Sequence, residues 1–158
     1  MAEENGFLLS VEKAVRLRPQ APAYRAADVV VLASPMYCWS VTAQEKAVLD
    51  RLFYAASARL RFKPAAAVAS ARRAGTTPAI DQINKYFQIN CMPVVSSNYW
   101  PMVHGSNPEQ VLQDEEGCAV MRELGRNMAW LLKCIELGKA NGITHPENPR
   151  RPMTNFIR

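Results

Sequence analysis

An open α/β sheet, with parallel strands and helices on its faces, is the fold this sequence predicts. Two apolar runs are continuous where a half-exposed strand would alternate, as strands buried on both faces must be. The stretch after each run is long enough for a helix and carries helix signals, and a parallel pair needs such a crossover, right-handed in this setting. The order is strand, helix, strand, helix, strand, then a long amphipathic helix, in a single domain over residues 1–158.

The first strand is Val29-Val30-Val31-Leu32-Ala33. Its helix starts at Thr42-Ala43-Gln44-Glu45, a capping box whose hydroxyl and carboxylate satisfy free backbone N–H groups, and Val48, Leu49, Leu52, Phe53 and Ala56 form its apolar stripe. The second strand is Ala65-Ala66-Ala67-Val68-Ala69. Thr77 then caps a helix with Pro78 in its first turn and Ile80, Ile83 and Phe87 on one face. A shorter third strand is expected at Pro93-Val94-Val95, followed by a loop over 96–113. Asp114-Glu115-Glu116 opens the last helix with charge that suits its macrodipole. Met121, Leu124, Met128, Leu131, Leu132 and Ile135 mark its core face, and it stops near Gly138. Residues 11–18 read as a short helix broken by Pro19 and Pro22, and 143–158, with Pro146, Pro149 and Pro152, as an extended tail.

Hydrophobic residues at 49% and charged residues at 21% exclude a disordered chain. No apolar stretch reaches the roughly 18 residues of a membrane span, and the acidic start is not a secretory signal. No membrane partner and a cytoplasmic location are expected. The net charge of +5 comes from scattered pairs such as Arg16 and Arg18, Arg59 and Arg61, and Arg72 and Arg73. Without interleaved aromatics they suit phosphate-bearing small molecules and not nucleic acid. Cys38, Cys91, Cys118 and Cys134 lie far apart with no C-x-x-C pair, so they read as reduced thiols with no metal site.

Ligands of open parallel sheets bind beyond the carboxyl ends of the strands. Two loops leave those ends. Ser34-Pro35-Met36-Tyr37-Cys38-Trp39-Ser40-Val41 offers aromatic faces beside a proline and leads into a helix amino terminus. A planar, electron-poor ring needs that combination. Ser70-Ala71-Arg72-Arg73-Ala74-Gly75-Thr76 offers guanidinium charge, a glycine that admits close approach and a second helix start, where anionic oxygen is favoured. Cys38 has no His, Lys or second Cys nearby in sequence to activate it and reads as loop packing. His104 reads as either a structural hydrogen-bonding group or a lining residue.

Ala27-Asp28, Ser34-Pro35-Met36-Tyr37, then Lys46, Asp50 and Arg51 resemble the NAD(P)H-dependent FMN reductase family of flavodoxin-like fold, which carries AD, a strand, SPxY, then KxxxDR. The resemblance continues through Lys63-Pro64, Ala71 to Thr77, Tyr99-Trp100, Val103-His104-Gly105, Asp114 to Gly117 and Asn127-Met128-Ala129-Trp130, to the closing Thr154-Asn155-Phe156-Ile157-Arg158. It implies an FMN ring resting on Ser34, Pro35, Met36, Tyr37, Cys38, Trp39 and Ser40, with Ala71, Arg72, Arg73, Gly75 and Thr76 at its other side. It also implies NAD(P)H as electron donor and a small-molecule electron acceptor, with no catalytic side chain because the cofactor carries the chemistry. A homodimer or tetramer is implied too, with the Tyr99-to-Gly105 loop as a wall for a neighbour's flavin.

Family members begin with a strand, a Ser/Thr/Asn-rich loop that cradles the FMN phosphate, and a second strand. Residues 1–27 show no such pattern, so the expected fold is flavodoxin-like but truncated at its amino terminus. The alternative function is a non-catalytic flavodoxin-like subunit or remnant with lost or weak FMN binding.

Overall fold

The computed structural model describes residues 26–147 and residue 154. The expected helix at 11–18 and most of the expected tail lie outside them. Strand β1 (Val30–Pro35), helix α1 (Ala43–Ala55), short helix α2 (Ser57–Leu60), strand β2 (Ala65–Ala71) and helix α3 (Thr76–Ile89) come first. Strand β3 (Met102–His104), short helix α4 (Pro108–Val111) and long helix α5 (Glu115–Ala140) follow. The strands lie side by side in the order β1-β2-β3, all parallel, with Val30 opposite Ala65 and Ala69 opposite Met102.

Both faces of the sheet are covered. On one, Val30 and Leu32 pack with Leu49, Leu52 and Phe53 of α1 and Ile80, Ile83 and Phe87 of α3. On the other, Ala66 and Val95 meet Leu124 and Met128 of α5, with Val29, Val31 and Val68 half-buried beside them. The alanines of β2 leave room for helices on either side, and this strand is buried almost throughout. In β1 buried and half-buried residues alternate instead. Burial on both faces therefore holds for β2 and only partly for β1, which stands at the margin of the described sheet.

The third strand departs from expectation. At Pro93-Val94-Val95 only a single bridge forms, in which the Ala65 N–H donates to the Pro93 carbonyl and the Val95 N–H to the Ala65 carbonyl, both at 2.8 Å. The chain then leaves the sheet and returns at Pro101, whose carbonyl accepts from Ala69 N–H at 3.1 Å, so that Met102–His104 forms the paired segment inside the expected loop. Three residues are too few to show a period, and β2 supplies the pairing that holds them.

The caps also differ in detail. Thr42 Oγ1 accepts from Glu45 N–H at 3.1 Å, as a capping box requires, but Thr42 N–H donates to Ser34 Oγ at 3.3 Å and not to the Glu45 carboxylate. The box is half formed. Helix α3 is preceded by Gly75 and not by Thr77. Helix α5 ends in a Schellman arrangement: Gly142 N–H donates to the Lys139 carbonyl and Ile143 N–H to that of Gly138. The stop is thus Gly142, with Gly138 still helical.

Candidate functional site

The loops after β1 and β2 meet at the carboxyl end of the sheet. Met36 N–H donates to the Ser70 carbonyl at 2.8 Å, and Ser40 Oγ donates to Gln82 Oε1 of α3 at 2.8 Å. Gly75 completes the joint, since a Cβ there would lie 2.8 Å from Met36 Sδ. Its φ of +95° is also a conformation that L residues rarely adopt. The end of β3 adjoins the same place, with Gly105 N–H donating to the Ala71 carbonyl at 3.1 Å.

The first loop folds into a tight turn. Tyr37 N–H donates to the Ser40 carbonyl at 3.0 Å and Ser40 N–H to the Tyr37 carbonyl at 3.1 Å. The two residues between them, Cys38 and Trp39, have φ of +49° and +65°. Positive φ at both central positions is the type I′ arrangement, which favours Asn-Gly. A cysteine and a tryptophan held there carry strain on the order of 1–3 kcal/mol each, a cost that clusters at ligand clamps. The turn projects Tyr37 and Trp39 outward, each 64% exposed. Trp39 N–H reaches back to Met36 Sδ at 3.2 Å.

The sequence-predicted residues thus come together with distinct environments. Ser34, Ala71, Gly75 and Thr76 are buried and form the floor. Met36 and Ser40 are half-buried, while Pro35, Tyr37, Cys38, Trp39, Arg72 and Arg73 are exposed around it. Thr76 Oγ1 donates to Met102 Sδ at 3.0 Å, which ties the floor to β3.

Three further residues, none of them singled out as a site residue by the sequence, adjoin these loops or the end of β3. Gln82 of α3 accepts from the Ser40 hydroxyl. Glu45, read as half of a capping box, is 7% exposed and its Oε2 has no hydrogen-bond partner. Burial pushes its carboxyl pKa up, against the smaller opposing pull of the Ser34 hydroxyl. Asp114 caps α5 by accepting from Gly117 N–H at 2.9 Å and holds the end of β3 by accepting from His104 N–H at 2.7 Å. These backbone donors, Gly117 first, hold its carboxyl below the usual carboxylate range. The tertiary environments of Gln82 and Glu45 carry no local sequence signal, because they come from neighbours distant in the chain.

Other motif residues lie elsewhere. Lys46 Nζ pairs with Asp50 Oδ2 at 2.9 Å, and Tyr86 of α3 donates its hydroxyl to Asp50, so this part of the motif fastens α1 to α3. Lys63 Nζ donates to the Ala27 carbonyl at 2.5 Å, at the amino end of the strands. Tyr99 and Trp100 form an edge-on ring pair, centroids 4.8 Å apart, in the excursion before β3. Among the described residues, no group of three or more His, Cys, Asp or Glu is placed to hold a metal ion, and no helix is long and apolar enough to cross a membrane.

Residues 11–107 match the family of NADPH-dependent FMN reductases. The chain belongs to this family. The match takes in residues 11–25, which the motif resemblance left outside. An iron-sulfur flavoprotein of Methanocaldococcus jannaschii is 33% identical over 121 residues, 71% of this reductase-family chain. The chain spans 62% of that relative's length. Among solved structures, the Trp repressor binding protein of Bacillus subtilis aligns with a TM-score of 0.56 at 16% identity, covering 75% of this chain and 84% of that one. A WrbA-like flavodoxin of Agrobacterium tumefaciens aligns at 0.54 and 16% identity, over 70% and 72%. RosB, solved with a bound formylated riboflavin phosphate intermediate, aligns at 0.51 and 14% identity, over 90% and 68%. These likenesses establish a flavodoxin-like fold for this member of the FMN reductase family.

Proposed function

We propose that this chain is a flavin-dependent oxidoreductase that binds FMN against the turn of Pro35, Met36, Tyr37, Cys38, Trp39 and Ser40. The carrying observation is that turn: two non-glycine residues are held at positive φ and two aromatic rings are turned outward beside a glycine-cleared joint. These residues fit a flat ring. Pro35, Tyr37 and Trp39 offer apolar surface, Gly75 makes room for the Met36 side chain, and Arg72 and Arg73 bring positive charge to the same end of the sheet.

When bound, the flavin supplies the hydride and electron chemistry. The chain's own part is to bind and orient the ring and to shape the polarity at its edge, so no side-chain acid or base is assigned. NAD(P)H is the proposed donor and a small molecule the acceptor. Family membership supports this reading over that of a non-catalytic remnant. A homodimer or tetramer is proposed as well, because β1 stands at the margin of the described sheet with an apolar strand to cover. Light scattering that finds a monomer at all concentrations would remove that part.

The test is fluorescence titration of flavin with the wild type and with a Tyr37→Ala, Trp39→Ala double variant. Aromatic contacts are worth about 1 kcal/mol each beyond area burial, so the double variant should bind roughly tenfold or more weakly. Equal affinities would refute the assignment.

A further inference from the structure

We infer that the cleft at the amino end of the sheet, opposite the proposed flavin site, binds a small organic anion with an apolar body, its charge met by Arg61, Lys63 and Lys139. This goes beyond the proposed function and does not depend on it.

Three stretches of chain build the cleft. The segment after α2 brings Arg61, Phe62 and Lys63, and the entry to β1 brings Ala27 and Asp28. The Schellman turn after α5 returns the chain so that Ile143 lies on Gly138 and His145 on Phe62. Lys63 Nζ closes one side by donating to the Ala27 carbonyl at 2.5 Å. Two cavities result, of about 660 and 570 Å³, joined along Phe62, Ile135, Lys139 and His145. Each has the size of a small-molecule site.

The two halves differ in chemistry. Arg61, Lys63 and Lys139 line the larger one against two carboxylates, Asp28 and Glu136, with His145 beside them. Among the described residues neither Arg61 nor Lys139 enters an ion pair, so the carboxylates do not neutralise them at contact. The smaller half presents Pro93, Ile135 and Ile143 instead. Ile143 is 69% exposed, apolar surface that the body of a ligand would cover. A cationic cavity that opens into an apolar one fits a molecule with a charged end and a greasy end. Burial and then the Lys139 charge lower the Lys63 pKa, with Asp28 opposing them, and a bound anion relieves both effects.

Phe62 joins the halves, and its backbone is strained. It has φ of +64° without being glycine, and its N–H donates at 3.2 Å to the carbonyl of Cys91, which has φ of +55°. Non-glycine residues held in this region cluster at ligand clamps. The strained backbone sets the Phe62 ring against the Arg61 guanidinium, 5.8 Å from the ring centroid, and against the His145 ring, stacked at 4.7 Å and 11°. One residue thereby walls both cavities and orients a cation.

The test is calorimetric titration of the full chain with decanoate, hexanoate and decylammonium, each below its micelle concentration. Decanoate should bind at least about tenfold more tightly than hexanoate, because its extra methylenes enter the apolar half. It should also bind at least about tenfold more tightly than decylammonium, whose head meets like charges. An Arg61→Glu, Lys139→Glu variant should lose at least about tenfold for decanoate, and the Tyr37→Ala, Trp39→Ala variant should bind it as the wild type does. No decanoate binding, equal affinity for decanoate and either other probe, or an unchanged affinity in the charge-reversed variant overturns the inference. Loss of decanoate binding in the Tyr37→Ala, Trp39→Ala variant overturns it too. If the charge-reversed variant does not fold, the decylammonium comparison in the wild type decides.

Discussion

Replacing Gly75 with alanine tests the joint between the loops after β1 and β2. The backbone there has φ of +95°, and holding an L residue in the left-handed region costs about 1–2 kcal/mol. The new Cβ would lie 2.8 Å from Met36 Sδ and 2.9 Å from its Cε, closer than real side chains come. Crowding of this kind costs about 1–3 kcal/mol, and here Met36 is not free to swing aside without consequence, because its sulfur also accepts from Trp39 N–H. The two contributions together give a loss of about 2–5 kcal/mol. At about 2–4 °C per kcal/mol for a domain of this size, the melting temperature should fall by about 4–20 °C. Thermal and urea unfolding followed by circular dichroism measure it. Gly125→Ala is the control: it lies within α5 with nothing within 4 Å of its Cβ, and should gain about 0.5–1 kcal/mol. In a Met36→Ala background the crowding disappears and only the backbone cost of about 1–2 kcal/mol should remain. A Gly75→Ala protein as stable as the wild type would show that the two loops are not joined in this way.

Other consequences are as direct. Gly117→Ala puts a Cβ onto Asp114 Oδ2 and 3.0 Å from the Met102 carbonyl, so it should lose the α5 cap and about 1–3 kcal/mol in urea unfolding. The depressed pKa of Asp114 contributes stability that is present above its unfolded value near 3.8 and lost as pH falls through the folded value. Wild type should therefore exceed Asp114→Asn in urea midpoint at neutral pH, with the gap shrinking in acid; a constant gap would contradict this. The raised pKa of Glu45 acts in the opposite sense, so Glu45→Gln should match wild type in acid below 4.5 and become relatively more stable as pH rises through the folded value. Cys38→Asn with Trp39→Gly supplies the preferred type I′ pair and should raise stability by about 1–3 kcal/mol while weakening flavin binding; unchanged stability would mean that the turn is not strained.

The order of the main elements and the meeting of the two loops were legible because they rest on local chemistry. The valines of β1, the alanines of β2, Thr42 at a helix start and the stripe from Leu49 to Phe53 each declare themselves within a few residues. The two loops followed from topology alone, since parallel strands put their carboxyl ends at one end of the sheet. The third strand was not legible at Met102–His104, because a three-residue strand is stabilised by hydrogen bonds to β2 and not by its own pattern.

What the sequence by itself determined is therefore the layout of the first two strands and the three long helices, their alternation, and which loops stand at the carboxyl end of the sheet. Only the tertiary structure decided the pairings across the chain. Gly75 against Met36, Ser40 on Gln82, Ser34 on Thr42, and Asp114 joining β3 to α5 all depend on neighbours that no local window contains. Secondary structure answers to periodicity and backbone preference over a few residues, whereas a donor's partner or the room for a Cβ is fixed by close packing of segments far apart in the chain.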